Sequence, residues 1–230
     1  MTTLAVDIGG SSIKALALND QGAPVTETLS QPTPSPAAPD SVFTLIHDMA
    51  DTLPPYRRAS VGFPGVVKSG VAQNAPNLGD ALWCGVRLNE RLTQLLQRPV
   101  RAINDADLQG LGVVRGKGVE LVLTLGTGMG SALFTDGVLV PNLELGHHPL
   151  RDGQTYEDLV RDSELKRIGP LEWTARVLSA IEQLEPIFNY DTLHLGGGNV
   201  RHLQAELPDR ARVFSLPEAL GGALKLWDGA

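Results

Sequence analysis

The chain has 230 residues, 42% of them hydrophobic and 20% charged, with a formal net charge of −7. Such a chain can bury a core large enough to need no disulfide staples, and its single cysteine, Cys84, excludes both an intrachain bridge and a multi-cysteine zinc site. No stretch approaches the roughly 20 apolar residues of a spanning helix, no basic leader precedes an apolar run, and no lysine or arginine run offers a nucleic-acid footprint. The expectation is a cytoplasmic protein with neither membrane nor nucleic acid as partner.

Taken in chain order, "LAVDIGGSSIKALALND" (4–20) reads as strand, glycine-rich turn, strand. Leu4, Val6 and Ile8 alternate as in a half-buried strand, and Asp20-Gln21-Gly22 suits a hairpin turn. "QPTPSPAAPD" (31–40) predicts an extended surface loop. Asp40 suits the N-cap of a helix over 41–53, with Val42, Leu45, Ile46 and Met49 on one face and Pro54 ending it. A second helix is predicted over 89–97, carrying Leu92, Leu95 and Leu96 and stopped before Pro99.

In "INDADLQGLG" (103–112) an apolar run ends in Asn104, Asp105 and Asp107 where a helical segment begins. An amide or acid there caps the helix, most plainly through Asn104 or Asp107. Alternatively, the end of a strand in an α/β sheet opens onto a cleft, where an acid can do chemistry. "LVLTLGTGMGSALFTDG" (121–137) then overlays the first segment without a gap, offset by 117 residues. Gly9 meets Gly126, Asp7 meets Thr124, and Asp136-Gly137 supplies the second hairpin turn. Pro170 can open a helix with Val177, Leu178, Ile181 and Leu184 as its buried stripe, "DTLHLGGGNV" (191–200) reads as strand, glycines, helix, and 216–227 as a closing helix. The alternation predicts an α/β fold of two related lobes around a central cleft. The boundaries expected are 1–103 for the N-terminal lobe, with 216–230 packing back on it, and 104–215 for the C-terminal lobe.

Turns without side chains let backbone N–H groups converge on an anion, phosphate above all. Gly9, Gly10, Ser11 and Ser12 offer such donors in one half; Gly126, Thr127, Gly128 and Gly130 do so in the other, and Gly196, Gly197 and Gly198 form a third turn. Each alone fits a tight hairpin with positive φ. Together they predict a polyphosphate held between lobes. Neither hairpin has the Walker spacing or its lysine. Asp7 either stiffens its turn through its own backbone bonds or supports a largely hydrated Mg²⁺ through water.

The stretches "VDIGGSSIK", "GFPGVV", "APNLGDALW", "INDAD", "LTLGTGMGSALF", "LVPNLELGH" and "LHLGGGNV" stand in one order from residue 6 to 200. With them the chain resembles the ROK family of sugar kinases and regulators, within the actin/hexokinase/Hsp70-like superfamily of two ribonuclease H-like lobes. "GGSSIK" and "NDAD" lean towards its polyphosphate/ATP glucokinase branch. The resemblance implies Asp105 as general base, Asn104 on a neighbouring hydroxyl, Glu144 and His147 near the anomeric end of the sugar, Asn77 on the sugar from the other lobe, and Glu157 as a second sugar-binding glutamate. It implies the glycine turns, with Lys14, as the holders of donor phosphate or nucleotide. Family members usually follow the histidine with a cysteine-rich zinc loop; 147–160 contains no cysteine, so no structural zinc is expected and something else must orient His147. His148 is assigned no role.

The expected function is phosphoryl transfer from ATP or inorganic polyphosphate, with Mg²⁺, to a hexose, most simply the 6-OH of glucose, by a homodimer. The alternatives are a kinase for another hexose or amino sugar, and a non-catalytic sugar sensor of the same family. Lys14, Lys68, Arg87, Arg115 and Lys117 are candidates for a basic track serving a long donor; solvated surface charge is the other reading.

Overall fold

Leu4, Val6 and Ile8 lead into the first glycine turn as β1 (Thr3–Ile8), which pairs antiparallel with β2 (Ser12–Leu18) and places Ile8 opposite Ile13. The structure, a computed structural model, describes residues 2–228. β2 continues to an edge strand, β3 (Leu29–Pro32), so the proline-rich loop starts later than its composition predicts. Then follow α1 (Pro39–Asp51), β4 (Arg58–Phe63), a small hairpin of β5 (Val67–Lys68) and β6 (Val71–Ala72), α2 (Asp80–Trp83), α3 (Leu88–Leu96), β7 (Val100–Asn104) and α4 (Asp105–Val113). The sheet order is β3-β2-β1-β4-β7, with β4 parallel to both β1 and β7.

Two helix starts differ from the sequence reading. Proline has no N–H to waste at the first helical position and a φ already suited to it, so Pro39 opens α1 and extended Ala38 precedes it. Asp40 therefore lies inside the first turn and pairs with Arg91 of α3 instead of capping. α3 starts at Leu88 and buries Leu88, Leu92 and Leu96, while Leu95 is left exposed; left-handed Gln97 (φ 50°) ends it. β1 is buried on both faces, not half-buried: Leu4, Val6 and Ile8 pack in one core with Val42, Ile46 and Leu92.

The second unit repeats this plan. β8 (Val119–Leu125), β9 (Met129–Thr135) and β10 (Val138–Val140) are joined by β13 (Thr192–Gly196) and β14 (Ala211–Val213) in the order β10-β9-β8-β13-β14. Between them lie the hairpin β11 (Pro149–Arg151) and β12 (Gln154–Thr155), then α5 (Tyr156–Val160), α6 (Asp162–Ile168) and α7 (Pro170–Phe188). α7 begins at Pro170 and buries Trp173, Val177, Ile181 and Leu184; Leu178 is only partly buried. β2 and β9 keep the offset of 117, Ser12 falling on Met129 and Leu18 on Thr135. The turns differ: Ile8 opposite Ile13 leaves residues 9–12 between, whereas Leu125 opposite Met129 leaves only 126–128. A gapless overlay hides that difference, because the residue lost from the turn is absorbed in strand register. After the third glycine turn the expected helix is one 3-10 turn, Val200–His202.

Charge is buried in this unit. Glu120 on β8 and His194 on β13 meet at 2.8 Å, and the Glu120 carboxylate also accepts the N–H groups of Arg115, Gly116 and Lys117. The loop before β8 is thereby tied to the sheet by a carboxylate satisfied on all sides.

The chain then returns to the first unit. The predicted closing helix is two, α8 (Leu216–Leu220) and α9 (Gly222–Lys225), broken at Gly221. Everything up to Gly112, and again from Pro217, belongs to the first compact unit, and Val113–Leu216 to the second, so α4 folds almost wholly with the first. α9 packs on β1 and β4. Beyond it Trp227 lies between the Arg58 and Arg101 guanidinium groups, 5.1 and 4.3 Å from its ring, and its indole N–H donates to Ser60 Oγ at 2.8 Å. Ser60 passes the bond on to the Ala223 carbonyl. Trp227→Leu should lower the unfolding free energy by about 2 kcal/mol, one hydrogen bond plus two partly exposed cation–π contacts; an unchanged urea midpoint would show that the return segment is not fastened this way. Among the described residues no helix is long and apolar enough to cross a membrane.

Candidate active site

In the first unit the candidate residues gather where β1 and β7 end. Asn104, the last residue of β7, is buried; its amide donates to the Gly65 carbonyl at 3.2 Å and its Oδ1 accepts the Asp107 N–H at 3.1 Å. Capping of α4 therefore falls to Asn104. That leaves Asp105, the first helical residue, half-buried with its Oδ1 accepting the Ala106 N–H at 2.8 Å. Gly62 on β4 makes this close approach possible: a Cβ there would stand 3.2 Å from the Asp105 Cα.

Asp7 sits opposite Lys14 in the β1–β2 register, with the ammonium 4.0 Å from its carboxylate. Burial pushes the Asp7 carboxyl up, and Lys14 and a hydrogen bond from the Gln109 side chain oppose that rise. Gln109 lies one helical turn beyond Asp105, so α4 carries both the candidate base and a ligand of Asp7. Sequence reasoning passed over Gln109, although its i+4 spacing from Asp105 was a readable signal. In the turn, Gly9 N–H bonds to the Ser12 carbonyl at 3.0 Å, and a Cβ on Gly9 would press on that oxygen. Thr33, also missed, donates its hydroxyl to the Gly9 carbonyl at 2.6 Å. Ser11 is exposed, Gly10 and Ser12 half-buried. Asn77 stands exposed in the loop before α2.

In the second unit the other two glycine turns meet. Gly197 (φ +89°) abuts the end of β8 so closely that a Cβ would lie 2.3 Å from the Leu125 carbonyl, a place only glycine fits. The buried Asn199 donates its amide to the Gly126 carbonyl at 3.1 Å and its N–H to the Leu125 carbonyl at 3.0 Å. A Cβ on Gly126 or Gly198 would meet nothing within 4 Å, so both backbones face open space, beside exposed Thr127 and half-buried Gly128 and Gly130. Gly196 answers to packing instead, since the Phe214 ring fills the position of its missing side chain.

Glu144, His147 and Glu157 converge in the same unit. A single 3-10 turn, Leu145–His147, brings His147 Nε2 to 3.4 Å from Glu144 Oε2, so a glutamate orients the histidine. Burial pushes the Glu144 carboxyl up; His147 opposes this, and the Glu157 charge adds to it. Glu157 is positioned by α5, whose start is fixed by a reciprocal cap between Thr155 and Asp158. Its Oε2 accepts the Met129 N–H at 2.9 Å. His148 is exposed, its ring 6.2 Å from that of Tyr156.

Of the five basic candidates, Lys14 stands beside Asp7 and Arg87 pairs with Glu90 at 3.1 Å; Lys68, Arg115 and Lys117 are exposed. Among the described residues no three acidic, histidine or cysteine side chains gather as a metal cage. Asp7 does fit the way Mg²⁺ is usually held beside phosphates, by one carboxylate with water and phosphate oxygens supplying the rest.

Residues 3–156 match the model of the ROK family. The chain is 32% identical over 213 residues to a polyphosphate glucokinase of Mycobacterium leprae, covering 88% of this chain and 65% of that protein's length. It is 31% identical over 212 residues to a polyphosphate glucokinase of Mycobacterium tuberculosis, covering 88% of this chain and 80% of that one. Its fold matches the inorganic polyphosphate/ATP-glucomannokinase of Arthrobacter sp. strain KM with a TM-score of 0.88 at 30% identity, over 98% of both chains. A ROK family glucokinase of Streptomyces griseus shares the fold at a TM-score of 0.79, with 19% identity over 98% of this chain and 99% of that one. Seven stretches in family order, two sheets of one topology and these kinships together make the chain a member of the ROK family.

Proposed function

We propose that this protein is a sugar kinase that moves a phosphoryl group from inorganic polyphosphate or ATP to a hexose hydroxyl, the 6-OH of glucose in the first instance. The observation that carries the reading is the glycine hairpin at the end of the central strand of both sheets, in a chain akin to proteins named polyphosphate glucokinase and glucomannokinase. Phosphoryl transfer asks a protein mostly to align acceptor and donor and to stabilise charge. Asp105 takes the proton of the attacking hydroxyl, and Asn104 holds a neighbouring one. Glu144 and His147 bind hydroxyls near the anomeric end, Glu157 is a second sugar-binding glutamate, and Asn77 contacts the sugar from its loop. Planar carboxylates and amides suit this work because they take hydroxyl hydrogen bonds in fixed directions.

The turns 9–12 and 126–128, with Gly197, Gly198 and the Lys14 ammonium, cradle the donor phosphates. A Mg²⁺ ion, when bound, supplies positive charge to the phosphoryl oxygens, and Asp7 holds it through water. Asp7→Asn should accordingly raise the Mg²⁺ concentration for half-maximal rate roughly ten-fold; an unchanged requirement would remove Asp7 from that role. The resemblance further implies a cytoplasmic homodimer, its mass to be read by light scattering. The deciding experiment is a coupled assay at fixed glucose with ATP, polyphosphate or both as donor. Glucose 6-phosphate with at least one donor is the expected result; tight glucose binding with no product from either would make this a sensor.

A further inference from the structure

The 126–128 turn is held at both ends by one neighbouring segment. Its first carbonyl, on Gly126, accepts the backbone N–H of Asp162 at 2.9 Å as well as the Asn199 amide, and the N–H just beyond it, on Met129, goes to the Glu157 carboxylate. Glu157 and Asp162 lie five positions apart, on α5 and at the first residue of α6. That segment is anchored: Tyr156, Leu159 and Val160 are buried, and the Trp173 indole donates to the Val160 carbonyl at 2.8 Å. Glu157 also stands among the candidate sugar ligands, since its charge bears on Glu144.

We propose that the α5–α6 junction is a brace that sets the shape of the 126–128 turn. Asp162 is a positioning residue acting through its backbone N–H, and hexose bound at Glu157 tightens the grip on the phosphoryl donor through the same brace. The inference rests on the reading of this turn as a donor cradle. A carbonyl with two donors and an N–H with a carboxylate partner leave the turn little freedom, so its backbone is held in one shape for the donor.

One substitution isolates the bond. Asp162 is the first residue of its helix and follows an extended Arg161 (φ −64°, ψ 161°), the setting in which proline is tolerated, so Asp162→Pro deletes the N–H with little other change. Asp162→Ala is the control: it keeps the N–H and loses only the exposed pair with Lys166. At saturating glucose, Asp162→Pro should raise the donor KM about five-fold, the worth of one hydrogen bond, with kcat changed by less than about two-fold. Asp162→Ala should match wild type.

An active wild type whose Asp162→Pro variant keeps its donor KM, or whose Asp162→Ala variant shifts equally, overturns the inference alone. A wild type silent with every donor fails the kinase reading, and the inference falls with it. Should Asp162→Pro not fold, hydrogen exchange in the wild type decides: added glucose should slow exchange in the peptide spanning 126–132, and no slowing there overturns the brace.

Discussion

Asp105→Asn should give a folded protein that still binds glucose and turns over about a thousand-fold more slowly, the middle of the range for removing a general base. The fold should survive because Asn104, not Asp105, caps α4, and because the amide oxygen of asparagine can still accept the Ala106 N–H. Sugar affinity should change little, since an amide keeps the shape and one acceptor of the carboxylate. What is lost is a basic oxygen to take the hydroxyl proton as the new P–O bond forms. The measurement is kcat by coupled assay beside glucose binding by tryptophan fluorescence. Turnover near wild type would move the base elsewhere.

The second large effect concerns stability. Removing a buried carboxylate that accepts several hydrogen bonds costs about 3–5 kcal/mol, because each bond to the charged group is lost and its donors are left without a partner. Glu120→Ala should lose that much, stranding His194 and three N–H groups at 115–117. Glu120→Gln should lose less, since it keeps an acceptor. The same site makes a pH prediction. Burial by itself raises the Glu120 carboxyl, but the backbone N–H groups and His194 together outweigh it and hold the group below the ordinary glutamate range. A depressed folded pKa means that the stabilisation is complete above the unfolded value and disappears as pH falls through the folded one. The gap in unfolding free energy between wild type and Glu120→Gln should therefore narrow on acidification below about pH 4.5, the ordinary range of a glutamate. A gap independent of pH would mean that the charge contributes nothing.

Much of this was legible in the sequence, and the reason is locality. A strand that runs into glycines and back is a hairpin whatever surrounds it, so both turns and the 117-residue repeat could be read directly. Pro170 at the head of α7 and the acids at the end of β7 could be read for the same reason. Periodicity reports that a face is buried, not against what. β1 therefore looked half-buried, although its second face is also covered, with α9 arriving from the far end of the chain.

The candidate site shows the same division. Its acids, amides and glycines stood in the sequence as residue types at fixed spacing, and the family pattern supplied their expected roles. Only the tertiary structure decided who holds them: Gln109 on Asp7, Glu144 on His147, Asn199 and the Asp162 N–H on Gly126, Glu157 on Met129. Several of these bonds use a backbone N–H or carbonyl, which every residue carries, so no letter in the sequence marks which one a distant side chain will find. Chain pattern determined the parts; long-range backbone partners, created only when the strands took their register, determined how those parts are aimed.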